Sequence, residues 1–76
     1  MGCNHRVLAH KYQEEIYFQI HEVFYDENGI PNGYSAEAET IHGENIKEIR
    51  WTLNKMKECL KKPILWAGDD FPKEYL

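Results

Sequence analysis

The sequence predicts an α+β domain: a three-stranded antiparallel meander, covered on one face by a single C-terminal helix, with a docked tail (β-β-β-α). Two observations carry this prediction. The run Glu15–Tyr25, EIYFQIHEVFY, is rich in β-branched and aromatic residues, as strands are. Residues 45–62 instead carry apolar side chains three and four positions apart, which is typical of an amphipathic helix. A sheet with one helix is the smallest layered arrangement that buries both apolar surfaces.

The strands are predicted in chain order. Residues 6–10 form a first strand, and the polar residues 11–14 turn the chain into the central strand. Residues 26–33, DENGIPNG, are the strongest turn signal, because Asn and Gly tolerate positive φ and Pro fixes its own φ. Residues 34–41 are predicted as a weaker third strand at the sheet edge, since Ala and Glu are poor strand formers and glutamates discourage aggregation at an edge.

Alternation divides the central strand into two faces. The face predicted to meet the helix holds Ile16, Phe18, Ile20, Glu22 and Phe24. The face predicted to stay open holds Tyr17, Gln19, His21, Val23 and Tyr25. The second set carries rings with polar tips, which suit recognition because they add contact area with little loss of entropy. The alternative is an ordinary solvated sheet face with some tyrosines.

The helix is predicted to begin at Asn45, which together with Glu48 makes an Asn version of the capping box. It should end near Lys62, because Pro63 disfavours helical geometry in the residue before it. Its apolar stripe is predicted to contain Ile46, Ile49, Leu53, Met56 and Leu60. In the tail, residues 64–66 are too apolar to be left in water and should dock, while the last few residues should fray.

Trp51 is the sharpest anomaly of the helix, because it falls nearly opposite the apolar stripe. Three arrangements are open: the tail covers the indole, a partner or second subunit covers it, or it is simply exposed. Glu22 and Arg50 form another anomaly, since one sits among core-facing residues and the other beside the stripe. We expect them to form a structural ion pair where sheet and helix meet, because Glu22 has no partner base that would make it catalytic.

The length, charge and composition of the chain limit the functions that it can have. The chain of 76 residues is predicted to be one domain, residues 1–76, with a core at 4–65 and a partly ordered tail at 66–76. A domain of this size buries roughly 60% of its unfolded surface, so oligomerisation is a common source of further burial. The formal net charge of −4 argues against nucleic-acid binding, which needs a basic footprint. No signal-peptide or membrane-spanning run is found, so a cytoplasmic location is expected.

No catalytic, cofactor or metal motif stands out. Cys3 and Cys59 are far apart and unpatterned, which predicts free thiols in a cytosolic protein. The histidines and cysteines lack the close pairs typical of structural zinc, so no metal is expected. There is no nucleophile elbow and no phosphate-binding glycine loop, so we predict neither an enzyme nor a cofactor.

The leading hypothesis is therefore a non-enzymatic interaction module that forms a homo-oligomer through the aromatic sheet face or the Trp51 side of the helix. The alternative is a sequestering protein for a small anionic or aromatic ligand such as a nucleotide. In that case Tyr17, His21 and Tyr25 would stack on the ligand, and Arg6 or Arg50 would meet its anionic group.

Several short motifs resemble those of a family of short, uncharacterised bacterial proteins: NxRV at 4–7, YFxIHEVxYD at 17–26, GxP at 29–31, EIRW at 48–51 and KPIL at 62–65. The resemblance covers residues 4–65 and implies that Glu22, Arg50 and Trp51 belong to the family signature; it implies no activity. More loosely, the β-β-β-α order is similar to that of HicB-type antitoxins. This topological likeness implies a third possibility, an antitoxin-like partner of another protein.

Overall fold

The computed structural model describes residues 2–76, so residue 1 of the predicted domain lies outside the described part. It contains a four-stranded mixed sheet in the order β3-β2-β1-β4 and one α-helix. The elements are β1 Gly2–Tyr12, β2 Glu15–Tyr25, β3 Pro31–Tyr34, α1 Ile46–Lys57 and β4 Leu65–Trp66. The predicted α+β class is confirmed, whereas the three-stranded antiparallel sheet is extended by β4, which pairs in parallel with β1. No helix within residues 2–76 is both long and apolar enough to cross a bilayer.

The β1–β2 hairpin is the frame of the fold. Its strands pair along their full lengths, from Gly2 opposite Tyr25 to Tyr12 opposite Glu15. The two-residue turn between them places Gln13 at a φ of 58°, a left-handed conformation that few non-glycine residues adopt. β2 has the predicted bounds. β1 is longer than the predicted residues 6–10, because every residue of β2 offers it a pairing partner.

The third strand lies earlier in the chain than predicted. The Asp26 carboxylate accepts hydrogen bonds from the backbone N–H groups of Asn28 (2.8 Å) and Ile30 (2.9 Å), which closes the turn early. Pairing with β2 therefore starts at Pro31 and ends at Tyr34. The predicted strand at residues 34–41 is wrong: beyond Tyr34, two backbone bonds tie the chain to β2, from Ser35 to Glu22 and from Glu39 to Ile20.

The main buried cluster lies on the face of β2 that we predicted to be open. Leu8, Val23 and Leu65 form its buried centre, and partly buried side chains pack around them: Tyr25, Tyr34, Ala67 and Phe71. His21 is buried on the same face, whereas Ile16 and Phe18, predicted as core, are exposed. The prediction was wrong because the polar tips of this face find partners inside the fold, and a satisfied polar group can be buried.

The tail builds the cover of this core. Leu65 and Trp66 pair with Leu8 and Ala9, so the expected docking of residues 64–66 takes the form of a strand. The chain then turns, and the Phe71 ring lies 4.8 Å from that of Tyr34. Residues 71–75, predicted to be only partly ordered, return along the outer side of β4, where the backbone N–H of Trp66 donates to the Lys73 carbonyl at 2.8 Å. Leu65 and Phe71 of the tail therefore cover the core face, whereas the Tyr75 ring lies 5.4 Å from that of Phe18 on the face assigned to the helix.

Helix α1 begins as predicted. The Asn45 side chain accepts a hydrogen bond from the backbone N–H of Glu48 at 3.0 Å. The Glu48 carboxylate binds the N–H of Glu44 (2.9 Å), which replaces the second half of the expected capping box. A 3-10 turn, Glu58–Lys61, follows α1, and Lys62 is extended, with a ψ of 154°, ahead of the proline. The predicted end of the helical segment before Pro63 is confirmed.

Candidate functional site

The predicted binding residues do not form one site. The structure divides them among a partly buried histidine cluster, in which the Tyr17 ring is 46% exposed, a buried arginine network and the outer side of α1. Tyr17 and His21 belong to the histidine cluster, Arg6 and Tyr25 to the arginine network, and Arg50 and Trp51 lie on α1.

The histidine cluster is a structural network at one end of the core face. The His21 ring is buried, and its Nδ1 lies 2.9 Å from the Ser35 carbonyl oxygen, so Nδ1 carries the proton and donates. Nε2 of His21 must then accept, and it lies 2.9 Å from Nε2 of His10, which donates. The Tyr17 ring stacks on His10, with centroids 5.0 Å apart. Burial lowers the pKa of His10.

Arg6 is engaged inside the fold. Its guanidinium donates to the Tyr25 hydroxyl (2.9 Å) and to the Pro63 carbonyl (2.7 Å), and Tyr25 donates in turn to the Asn4 side chain (2.7 Å). The Arg6 residue is only 8% exposed, and none of the ion pairs found within residues 2–76 includes it. The guanidinium therefore ties β1 to the segment after α1 and is not presented to a ligand.

The predicted Glu22–Arg50 ion pair is not formed in the described part of the chain. Arg50 is exposed on the outer side of α1, because α1 meets the sheet through other side chains. Glu22 lies beside the Cys3 thiol. Hydrogen bonding to the Glu22 carboxylate, together with its negative charge, raises the pKa of that thiol. Cys59 is buried, and both thiols are free.

Trp51 is not covered by the tail. The indole is 64% exposed, and Nζ of Lys55 lies 5.5 Å from its centroid. It borders an open groove of about 490 Å³ between α1 and the sheet, whose other walls include Cys3, His5, Glu22, Thr52 and Lys62. Across residues 2–76, no set of three or more His, Cys, Asp and Glu side chains is arranged to hold a metal ion.

An apolar strip lies open on the face predicted to be core. The apolar strip comprises residues of β2, of the loop after β3, of α1 and of the 3-10 turn: Ile16, Phe18, Ile20, Ile41, Leu53 and Leu60. Ile20 is half-buried, and the others are exposed, for example Phe18 by 49% and Leu60 by 69%. A cavity of about 300 Å³ lies among Ile20, Ile41, Leu53, Met56 and Leu60.

The rotation of α1 explains why this strip is open. The covered side chains of α1 are Ile49, Thr52 and Met56. At about 100° per residue, their mean direction is roughly 50° from that of the apolar row of α1. Ile46 and Leu53, the other members of that row, face solvent. The helix therefore covers only part of the sheet face that the sequence pattern assigned to it.

The backbone edge of β2 is also open beside this strip. β3 pairs only with residues 23–25 of β2, and the chain after β3 reaches the carbonyls of Glu22 and Ile20. Within residues 2–76, no backbone hydrogen bond from that side reaches Ile16 or Phe18. Sequence reasoning missed this site because it assigned the helix to these side chains. The apolar tail, with Leu65 and Phe71, was the available signal that another segment would cover the opposite face.

Comparisons with protein-family models, with curated proteins and with solved structures return no match for this chain. The resemblance to the short bacterial proteins and the likeness to HicB-type antitoxins therefore stay predictions.

Proposed function

We propose that the protein is a non-enzymatic interaction module that associates with a second copy of itself through the apolar strip. The observation that carries this proposal is the amount of exposed surface. The chain exposes 5953 Å², whereas a monomeric protein of 9.0 kDa exposes about 4,900 Å². The excess of about 1,100 Å² is larger than the roughly 800 Å² that each partner contributes to an interface of standard size.

The chemistry of the strip supports the same proposal. Its side chains are aliphatic or aromatic, and they lie together on one side of the molecule. Contiguous apolar patches above a few hundred Å² are rare on monomeric proteins and usually mark contact surfaces. The fully buried core is small, with Leu8 and Val23 at its centre, so burial of the strip would add substantially to stability. Self-association is thus retained from the sequence hypothesis, and its surface moves to the opposite face.

Sedimentation equilibrium over a concentration series tests the proposal. We expect a monomer–dimer equilibrium for the wild type. A charge at the centre of the strip, in Leu53→Glu, should weaken association at least about tenfold, which corresponds to about 1.4 kcal/mol. Ile30→Glu is the matched control, because Ile30 is exposed to a similar degree (54% against 46% for Leu53) but lies in the turn before β3. A wild type that stays monomeric up to about 1 mM would overturn the proposal.

A second candidate function, binding of a small anionic aromatic ligand, is favoured by the Trp51 groove. An exposed indole with Lys55 over its ring and Lys62 in the wall offers a stacking surface beside positive charge. A thermal-shift screen against nucleotides should then raise the Tm of the wild type but not of Trp51→Ala, whose lost side chain is mainly solvent-exposed. An equal shift in both proteins, or none in the wild type, would contradict this candidate.

A further inference from the structure

We propose that the second copy docks edge to edge along β2, so that residues 15–19 of both copies pair as antiparallel strands about a twofold axis at Tyr17. This inference rests on the proposed self-association and specifies its geometry. It would join two four-stranded sheets into one continuous sheet and bring the two apolar strips side by side. The contact is isologous, as closed dimers require.

The backbone N–H and C=O groups of Ile16 and Phe18 point away from β1, to the outer edge of β2. The carbonyls of Ile20 and Glu22 accept hydrogen bonds from the chain that runs outside β2, so both point to its outer edge. Alternate residues of a strand point their N–H and C=O groups the same way, so those of Ile16 and Phe18 also point outward. The register with β1 independently supports this direction. Ala9 lies opposite Phe18, and the Ala9 carbonyl accepts from the Ala67 N–H on the far side of β1. Ala9 and Phe18 therefore do not bond to each other, and the backbone groups of Phe18 point away from β1.

These outward groups form an edge without the usual protection. Natural edge strands are commonly shielded by Lys, Pro, a bulge or a covering loop. Residues 15–19, EIYFQ, contain no Lys or Pro, and the register irregularity of β2 lies farther along, between Phe24 and Tyr25. The loop after β3 leaves the edge after its bond to Ile20. A strand with these properties is a ready template for another strand.

The twofold axis at Tyr17 is the register that uses every free group. It places Ile16 opposite Phe18 of the second copy, and such a pair exchanges both of its N–H and C=O groups. It also places Glu15 opposite Gln19, so like charges do not face each other. An axis at Glu15 would oppose two carboxylates. An axis at Gln19 would need the Ile20 carbonyl, which is already occupied by Glu39.

The side chains agree with this pairing. Ile16 and Phe18 of each copy would form cross-strand pairs between an aromatic and a β-branched residue, a favourable combination in antiparallel sheets. Both belong to the apolar strip, so the same contact covers exposed apolar area and satisfies the open edge. The two copies of Tyr17 would meet at the axis on the other face, where the ring is exposed beside His10.

Disulfide trapping tests the axis directly. Opposed residues of a pair without mutual hydrogen bonds have Cα atoms about 4.5 Å apart, within the range that a disulfide spans. In a Cys3→Ser background, Tyr17→Cys should therefore form a covalent dimer on mild oxidation. Gln19→Cys is the matched control, on the same face but off the axis, and it should crosslink far more slowly. Equal crosslinking of the two variants would overturn the proposed register.

A backbone test separates edge pairing from contact through the side chains alone. Ile16→Ala and Ile16→Pro both remove the apolar side chain, but only the proline also removes the outward N–H. Circular dichroism should show the same fold for both, because this N–H does not pair with β1. We expect the proline variant to associate at least about tenfold more weakly than the alanine variant, since each copy loses a donor.

The outcomes distinguish the inference from the proposed function. A wild type that dimerises while the Ile16 variants associate equally would leave self-association standing and overturn the edge geometry. A wild type that never dimerises would overturn both. A dimer that is weakened by Leu53→Glu and by Ile16→Pro, and trapped by Tyr17→Cys, is the result expected if both are correct.

Discussion

The Arg6 guanidinium illustrates at the residue scale how a charge can be held inside a small fold. It donates to the Tyr25 hydroxyl on one side and the Pro63 carbonyl on the other, a fork that an ammonium group cannot reproduce. We expect Arg6→Lys to lower the free energy of unfolding in urea by about 1–3 kcal/mol. Arg50→Lys, a change on the exposed side of α1, should stay within about 0.5 kcal/mol. Equal effects of the two substitutions would contradict the structural role of Arg6.

The histidine pair gives a pH dependence of stability. The pKa of His10 is lowered in the folded state, so the unfolded chain binds a proton first as the pH falls. This contribution is fully present above the unfolded pKa of about 6.5 and is lost as the pH falls below it. Protonation adds its proton at Nδ1 of His10, because Nε2 already carries the proton that it donates to His21.

Thermal unfolding between about pH 7.5 and pH 5.5 measures this effect. The Tm of the wild type should fall with the pH. His10→Gln should show a shallower fall, because the amide can still donate to His21 but does not titrate. An equal slope in the two proteins would show that other groups account for the dependence.

At the scale of elements, the tail replaces the helix as the cover of the core. Phe71 packs against Tyr34 and the buried cluster that includes Val23. We expect Phe71→Ala to destabilise the fold by about 2–4 kcal/mol in chemical denaturation, since it opens the core face. Leu76→Ala is the control, because Leu76 is fully exposed, and it should have little effect. A similar result for both would mean that the tail does not hold the core.

The elements differ in how far the sequence could predict them. The bounds of β2 and the cap at Asn45 follow from local patterns, and both are found as predicted. β4 could not be predicted in the same way, because two residues, Leu65 and Trp66, carry no periodicity. Their pairing with β1 is decided by contacts across the whole chain. The prediction of which face of β2 stays open was wrong for a related reason. Both faces carry apolar groups, and the packing of the tail decides which one holds the main buried cluster.

At the scale of the whole molecule, the candidate site depends on that choice of face. The predicted set of Tyr17, His21 and Tyr25 was a reasonable recognition surface only while nothing covered it. Leu65 and Phe71 cover the part of that face around Val23 and Tyr25, and the open apolar surface is the strip around Phe18 and Leu53. The sequence predicted that an aromatic face with polar tips would stay open, whereas tertiary packing leaves the mainly aliphatic strip open instead.

Self-association should also be visible in stability. Because a dimer is favoured by mass action, the Tm of the wild type should rise with protein concentration. The Tm of Leu53→Glu should rise less over the same range, since the charge weakens association through the strip. Differential scanning calorimetry over about two decades of concentration measures both. A wild-type Tm that does not change with concentration would contradict coupling between association and stability.

The parallel pairing of β4 with β1 has a consequence for the order in which the chain assembles. Leu8 and Leu65 come from opposite ends of the chain, whereas the strands of the hairpin meet across a tight turn. Closing the long loop costs entropy before any contact repays it, so the hairpin should form first. Until β4 pairs with β1, the edges of the hairpin can pair with a neighbouring chain, which favours aggregation. Renaturation from urea should therefore give the best yield from dilute solution.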